Sequence, residues 1–190
     1  MKSNKNLTLI LLLLIVVAAF YRIIPNRPMG FAPHLAMALF AGAVIRDKKW
    51  AFAFPIFSMF ISDLIYQLLY LKGLTALSGF YEGQITNYLL FAGLVIVGFF
   101  MKKINLVNVA LFSLTECVLF FLVSNFFVWI NGAGFGRPKT PAGFVQCYVD
   151  AVPFFGNSVL ATLVFSGILF GAYQLFRESG NVVPVRLASK

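Results

Sequence analysis

The chain has 190 residues, of which 61% are hydrophobic and 11% charged, against about 25% charged in a soluble domain. So few charges cannot cover a water-facing surface, which excludes a soluble globular domain. The net charge of +9 comes from basic residues in the gaps between apolar blocks. It therefore reads as topological anchoring and not as the basic face that nucleic acid requires. The blocks are continuously apolar and lack a period of two, which argues against a β-barrel. A bilayer core takes roughly 20 apolar residues per helix, and about six such blocks fill the chain. The predicted fold is an all-α integral membrane protein, a six-transmembrane-helix bundle in one domain over 1–190.

The first block spans 7–24, behind Lys2 and Lys5. A basic start and Val17-Ala18-Ala19 also suit a signal peptide, but the apolar stretch outruns a usual signal core, which favours an uncleaved helix. Pro25-Asn26-Arg27-Pro28-Met29-Gly30 breaks it. The second block spans 29–45, with Pro33 placed in its first turn, and closes at Arg46-Asp47-Lys48-Lys49. The third spans 50–71 and has aromatic residues at both ends, as membrane interfaces favour. A glycine-containing connection over 72–86 leads to the fourth, 87–101, which stops at Lys102-Lys103. The fifth spans 106–130. The longest loop follows, with an irregular first half and a short interfacial helix expected over 142–152. The last block spans 154–176, and 177–190 reads as a polar cytoplasmic tail.

With the amino terminus inside, the inner segments carry ten Lys and Arg and the outer segments five. The positive-inside rule then puts both termini in the cytoplasm. The two cysteines, Cys117 and Cys147, fall at different depths, so no disulfide is expected. Neither lies in a CxxC or Cys/His cluster, and the single histidine is His34, so neither a metal site nor a cofactor is predicted.

This topology gives each polar residue a depth. Ionisable groups inside a bilayer are costly and face the protein interior or a wet cavity. Asp63, Tyr66, Gln67 and Tyr70 share one face of the third helix, in its outer half. Glu116 sits near the middle of the fifth, with Asn125 and Trp129 towards its outer end. His34, Asn87-Tyr88 and Asn157-Ser158 lie at outer ends, and Asn87, Asn157 and Ser158 read most simply as caps. Polar groups thus gather in the outer halves of several helices, which suggests a pocket open to the outer face. Ala32/Ala36 and Ala38/Gly42 on the second block have the spacing that lets helices approach closely, either within the chain or against a partner subunit. No rhomboid-type serine and histidine order, no Cys/Arg/His site and no Walker A sequence is present. Asp63 and Glu116 at similar depth leave open an intramembrane carboxylate pair, but no flanking motif supports it, and an enzyme is not the expectation.

The segment from Asn26 to Ala43, Asn-Arg-Pro-Met-Gly-Phe-Ala-Pro-His-Leu-Ala-Met-Ala-Leu-Phe-Ala-Gly-Ala, with Pro55 and Ser62-Asp63 downstream, resembles a family of uncharacterised bacterial multi-pass membrane proteins. That family is similar to the substrate-binding S components of energy-coupling factor (ECF) transporters. The resemblance implies a six-helix bundle in the bacterial inner membrane and a site near the outer face. It also implies a coupling transmembrane subunit and ATPases as partners, docked through small residues, here Ala32, Ala36, Ala38 and Gly42. On that reading the ligand is a small vitamin-like or micronutrient molecule. Arg27, His34, Asp63, Tyr66, Gln67, Tyr70, Asn87, Glu116, Asn125 and Trp129 are the expected substrate-binding residues, with Arg137 and Lys139 near the mouth. The alternative is an envelope assembly or structural protein with no ligand.

Overall fold

In a computed structural model, residues 13–178 are described, apart from 14, 19 and 25–27. All regular structure among them is helical. The described residues from 13 to 22 form α1, and α2 (His34–Val44), α3 (Lys48–Leu71), α4 (Gln84–Phe99), α5 (Leu106–Ile130) and α6 (Pro141–Glu178) follow. The result is an all-α bundle with several long apolar helices.

Local chemistry sets most of the boundaries. Asp47, extended at its backbone, accepts a hydrogen bond from the Lys49 amide at 2.9 Å and so starts α3 earlier than the expected Trp50. Asn105 does the same for α5 through the Asn108 amide at 2.8 Å. Gly83, at φ 81°, precedes α4, which begins three residues before the expected Asn87.

α2 is the centre of the molecule. All 11 of its residues are buried, and it packs against α3, α4, α5 and α6. Phe40 meets Phe170 and Tyr173 of α6 edge-on, at 5.2 and 6.1 Å between ring centres. Where α2 crosses α4 the backbones touch. A Cβ on Gly42 would lie 2.1 Å from the Val95 carbonyl oxygen, and one on Gly98 would lie 2.4 Å from that of Leu39. Ala36, Ala38 and Gly42 are therefore spent on packing within the chain, and this corrects the docking-face expectation for them. Ala32, just before α2, is half-buried.

Two further expected boundaries change. The second block does not begin as helix at Met29: Pro33 is the cap, and the residues before it are irregular. Irregular backbone at membrane depth needs donors from the protein. Asn157 Nδ2 donates to the Met29 carbonyl at 2.9 Å and Ser158 Oγ to that of Gly30 at 3.1 Å. The two residues expected as helix caps thus satisfy another segment's backbone. The separate interfacial helix and last span are one helix, α6, of 38 residues with Pro153 inside it. Proline costs one helix hydrogen bond, and the long helix on either side tolerates it.

α3, α5 and α6 have the length and apolar composition to cross a bilayer. With 11 and 16 residues, α2 and α4 fall short of the roughly 20 a straight span needs. α5 turns Leu111, Leu114, Val118 and Leu122 outward, a face suited to lipid. The protein is a multi-pass membrane protein.

Candidate functional site

Asp63 is 1% exposed, and a carboxylate so deep requires partners. Arg22, at the end of α1, pairs with Asp63 Oδ1 through Nη1. The same nitrogen donates to Ser62 Oγ at 2.5 Å and to the Met59 carbonyl at 3.3 Å. Oδ2 accepts from Tyr88 Oη at 2.5 Å and from Gln84 Nε2 at 2.8 Å. Gln84 also donates to Tyr88 Oη at 2.9 Å and to the Gly79 carbonyl at 3.1 Å. One aspartate therefore ties together α1, α3, α4 and the connection between α3 and α4.

The rest of the polar stripe on α3 supports this knot. Tyr66 Oη donates to the Arg22 carbonyl at 2.8 Å, and its ring lies 5.7 Å from the guanidinium carbon. Gln67 Oε1 accepts from Ser78 Oγ at 3.1 Å and from the Gly79 amide at 3.2 Å. Gly79 is needed there, because a Cβ would sit 1.9 Å from the Asp63 carbonyl oxygen. Tyr70 is exposed. Asn87 Nδ2 donates to Tyr81 Oη at 3.0 Å, near the surface. The structure thus brings Asp63, Tyr66 and Gln67 together, with their polar ends turned to their own chain. Arg27 lies outside the described residues.

Sequence reasoning missed Arg22 and Gln84 as members of this cluster, counting Arg22 only as a basic residue near the outer end of the first block and placing Gln84 in the 72–86 connection. Two signals pointed to them: a deep aspartate calls for a cation, and Gln84 lies one helical turn before Tyr88.

Glu116 is fully buried, and neither carboxylate oxygen has a hydrogen-bond partner among the described residues. It is therefore not hydrogen-bonded to Asp63, and the carboxylate pair that the sequence left open is not formed among the described residues. Around it α5 and α6 meet through polar contacts. Ser113 and Ser166 hydroxyls lie 2.9 Å apart, Cys117 Sγ is 3.7 Å from the Ser158 carbonyl, and Thr162 Oγ1 donates to that carbonyl at 2.7 Å. His34 is buried at the start of α2, with its ring 5.8 Å from that of Phe91.

Asn125 and Trp129 belong to a third cluster, where the 131–140 loop covers the ends of α5 and α6. Trp129 Nε1 donates to the Pro138 carbonyl at 3.1 Å. Asn125 Nδ2 bonds back to Phe121 at 2.7 Å, and its own carbonyl lies 3.7 Å from Cys147 Sγ. Beside them Arg137 grips Asp150 in a two-pronged contact, Nε to Oδ2 at 2.7 Å and Nη2 to Oδ1 at 3.1 Å. The hydrogen bond to Asp150 pushes the guanidinium above its already high ordinary pKa. A cavity of about 140 Å³ opens here, lined by Asn125, Phe135, Arg137, Cys147, Asp150 and Phe154 among others. Unlike the Asp63 knot, it combines empty space with charged groups at its wall.

Residues 2–183 match a family described as a family of unknown function (DUF6580). Comparison with curated proteins and with solved structures finds no match to either.

Proposed function

We propose, for a chain that belongs to the family of unknown function DUF6580, that it is a substrate-binding subunit of the bacterial cytoplasmic membrane for uptake of a small solute. In this reading the chain makes six passes with both termini inside. The short helices α2 and α4 complete their crossings with flanking irregular backbone. The Met29–Gly30 carbonyls held by Asn157 and Ser158 are the kind of support such backbone needs.

The observation that carries the reading is the cavity under the 131–140 loop. Its volume of about 140 Å³ is near that of a cavity that accepts benzene, about 150 Å³, and below the usual 300–1,000 Å³ of drug-sized sites. This favours a micronutrient of few atoms over a bulky vitamin. Arg137 and Asp150 on its wall favour a ligand that has both an acceptor and a donor. Coupling to transport would come from other chains, which would have to dock elsewhere than on the buried face of α2.

Native mass spectrometry of gently extracted protein tests this. A stoichiometric small molecule, released on denaturation and lost in Arg137→Ala with the fold intact, is the expected result. A clean apo-protein that a panel of small polar solutes leaves unchanged would remove the reading. It would favour the assembly-protein alternative, for which the closed Asp63 knot speaks: there the polar groups already serve their own chain.

A further inference from the structure

Glu116 stands apart from both clusters. A charged carboxylate with no donor and no solvent is among the most expensive arrangements a protein can hold, and among the described residues no cation is paired with Glu116. The neighbouring polar groups face one another: Ser113 is bonded to Ser166, and Thr162 and Cys117 turn to the Ser158 carbonyl. All except Ser158 are buried. They form a polar seam along α5 and α6 with a bare carboxyl group in it. Nothing in the packing of the bundle requires a glutamate there, since a leucine of similar size would bury without penalty.

The structure assigns Glu116 as a proton-binding site, a carboxylic acid that carries an exchangeable proton in the seam between α5 and α6. Binding is simple: the proton adds to a carboxylate oxygen, and on release the electron pair stays on that oxygen while the proton passes to solvent. Among the described residues, none of the ionisable groups on the surrounding helices is hydrogen-bonded to Glu116. On α5 its neighbour is Cys117, whose thiol faces the Ser158 carbonyl. On α2 the group is His34, set against Phe91, which in turn meets Phe120 of α5 at 5.4 Å. On α4 it is Tyr88, which donates to Asp63. On α6, Cys147, Tyr148 and Asp150 lie towards one end and Tyr173, Arg177 and Glu178 towards the other. The assignment does not rest on the solute-binding reading, and its failure would leave the cavity untouched.

Dicyclohexylcarbodiimide, an apolar reagent that adds to protonated carboxyl groups, tests it on the native chain in lipid vesicles. Peptide mass spectrometry should find the stable N-acylurea on Glu116, severalfold above that on paired Asp63, and sodium should not reduce it. An unlabelled Glu116 would overturn the assignment. So would protection by sodium, which would mark a metal-cation site instead. Infrared spectra supply the second measurement. The acid C=O band should be present in the native protein, absent in Glu116→Gln, and shifted on transfer to D2O. A band that D2O leaves unshifted would mean a proton that does not exchange, and would also overturn it.

Discussion

At the scale of single residues, the Arg22–Asp63 pair shows why depth in a membrane sharpens electrostatics. Asp63 is 1% and Arg22 16% exposed at the side chain, so removing either partner leaves the other's charge poorly solvated. We expect Asp63→Ala to destabilise the protein by about 3–5 kcal/mol, read by thermal or denaturant unfolding in detergent. The double change Arg22→Met with Asp63→Leu should recover much of that loss, because paired apolar replacements often match a buried ion pair. Tyr88→Phe removes a single donor and should cost about 1–3 kcal/mol. If Asp63→Ala unfolds like the native chain, the pair does not hold the fold. A deep aspartate was legible as something in need of a partner. Which cation meets it was not, because Arg22 and Asp63 stand 41 positions apart.

At the scale of elements, the crossing of α2 and α4 depends on two glycines that permit direct backbone contact. The Gly98 position has no room, with the Leu39 carbonyl oxygen 2.4 Å from a Cβ there, whereas Gly93 on the same helix has nothing within 4 Å. Gly98→Leu should therefore lower stability by at least about 1–3 kcal/mol, as overpacking does, while Gly93→Leu should change it little. Equal losses in unfolding measurements would refute the crossing. The small-residue spacing on the second block was visible in the sequence, and so was its use as a close helix contact. Its partner was open, because the same spacing serves an inner or an outer neighbour. The continuity of α6 was hidden by Pro153 and the polar residues Gln146, Tyr148 and Asp150, which read locally as an interfacial piece. The expected break closes because helix on both sides outweighs one lost backbone bond.

At the scale of the whole molecule, α6 runs for 38 residues, about 57 Å at 1.5 Å per residue, against a hydrocarbon core of about 30 Å. Part of it must stand clear of the lipid; the 131–140 loop and the cavity sit at its amino-terminal end. On the proposed topology, a single cysteine at Lys49 or Lys102 should resist an impermeant thiol reagent in intact cells and react after lysis. A cysteine at Glu82 or Lys139 should react at once. The reverse pattern would invert the orientation, and mixed labelling would break the six-pass reading.

The sequence by itself determined the class of the molecule, because a shortage of charge and long apolar blocks admit only a membrane solution. It also placed most helix boundaries to within a few residues, since prolines, glycines and the capping Asp47 and Asn105 act locally. Tertiary structure decided what the polar residues do. Asp63 is closed by Arg22, Gln84 and Tyr88, Asn157 and Ser158 serve a distant backbone, and Glu116 has no donor among the described residues. The physical reason is that a buried polar group is defined by its partner, and partners brought from remote positions leave no local trace in the chain.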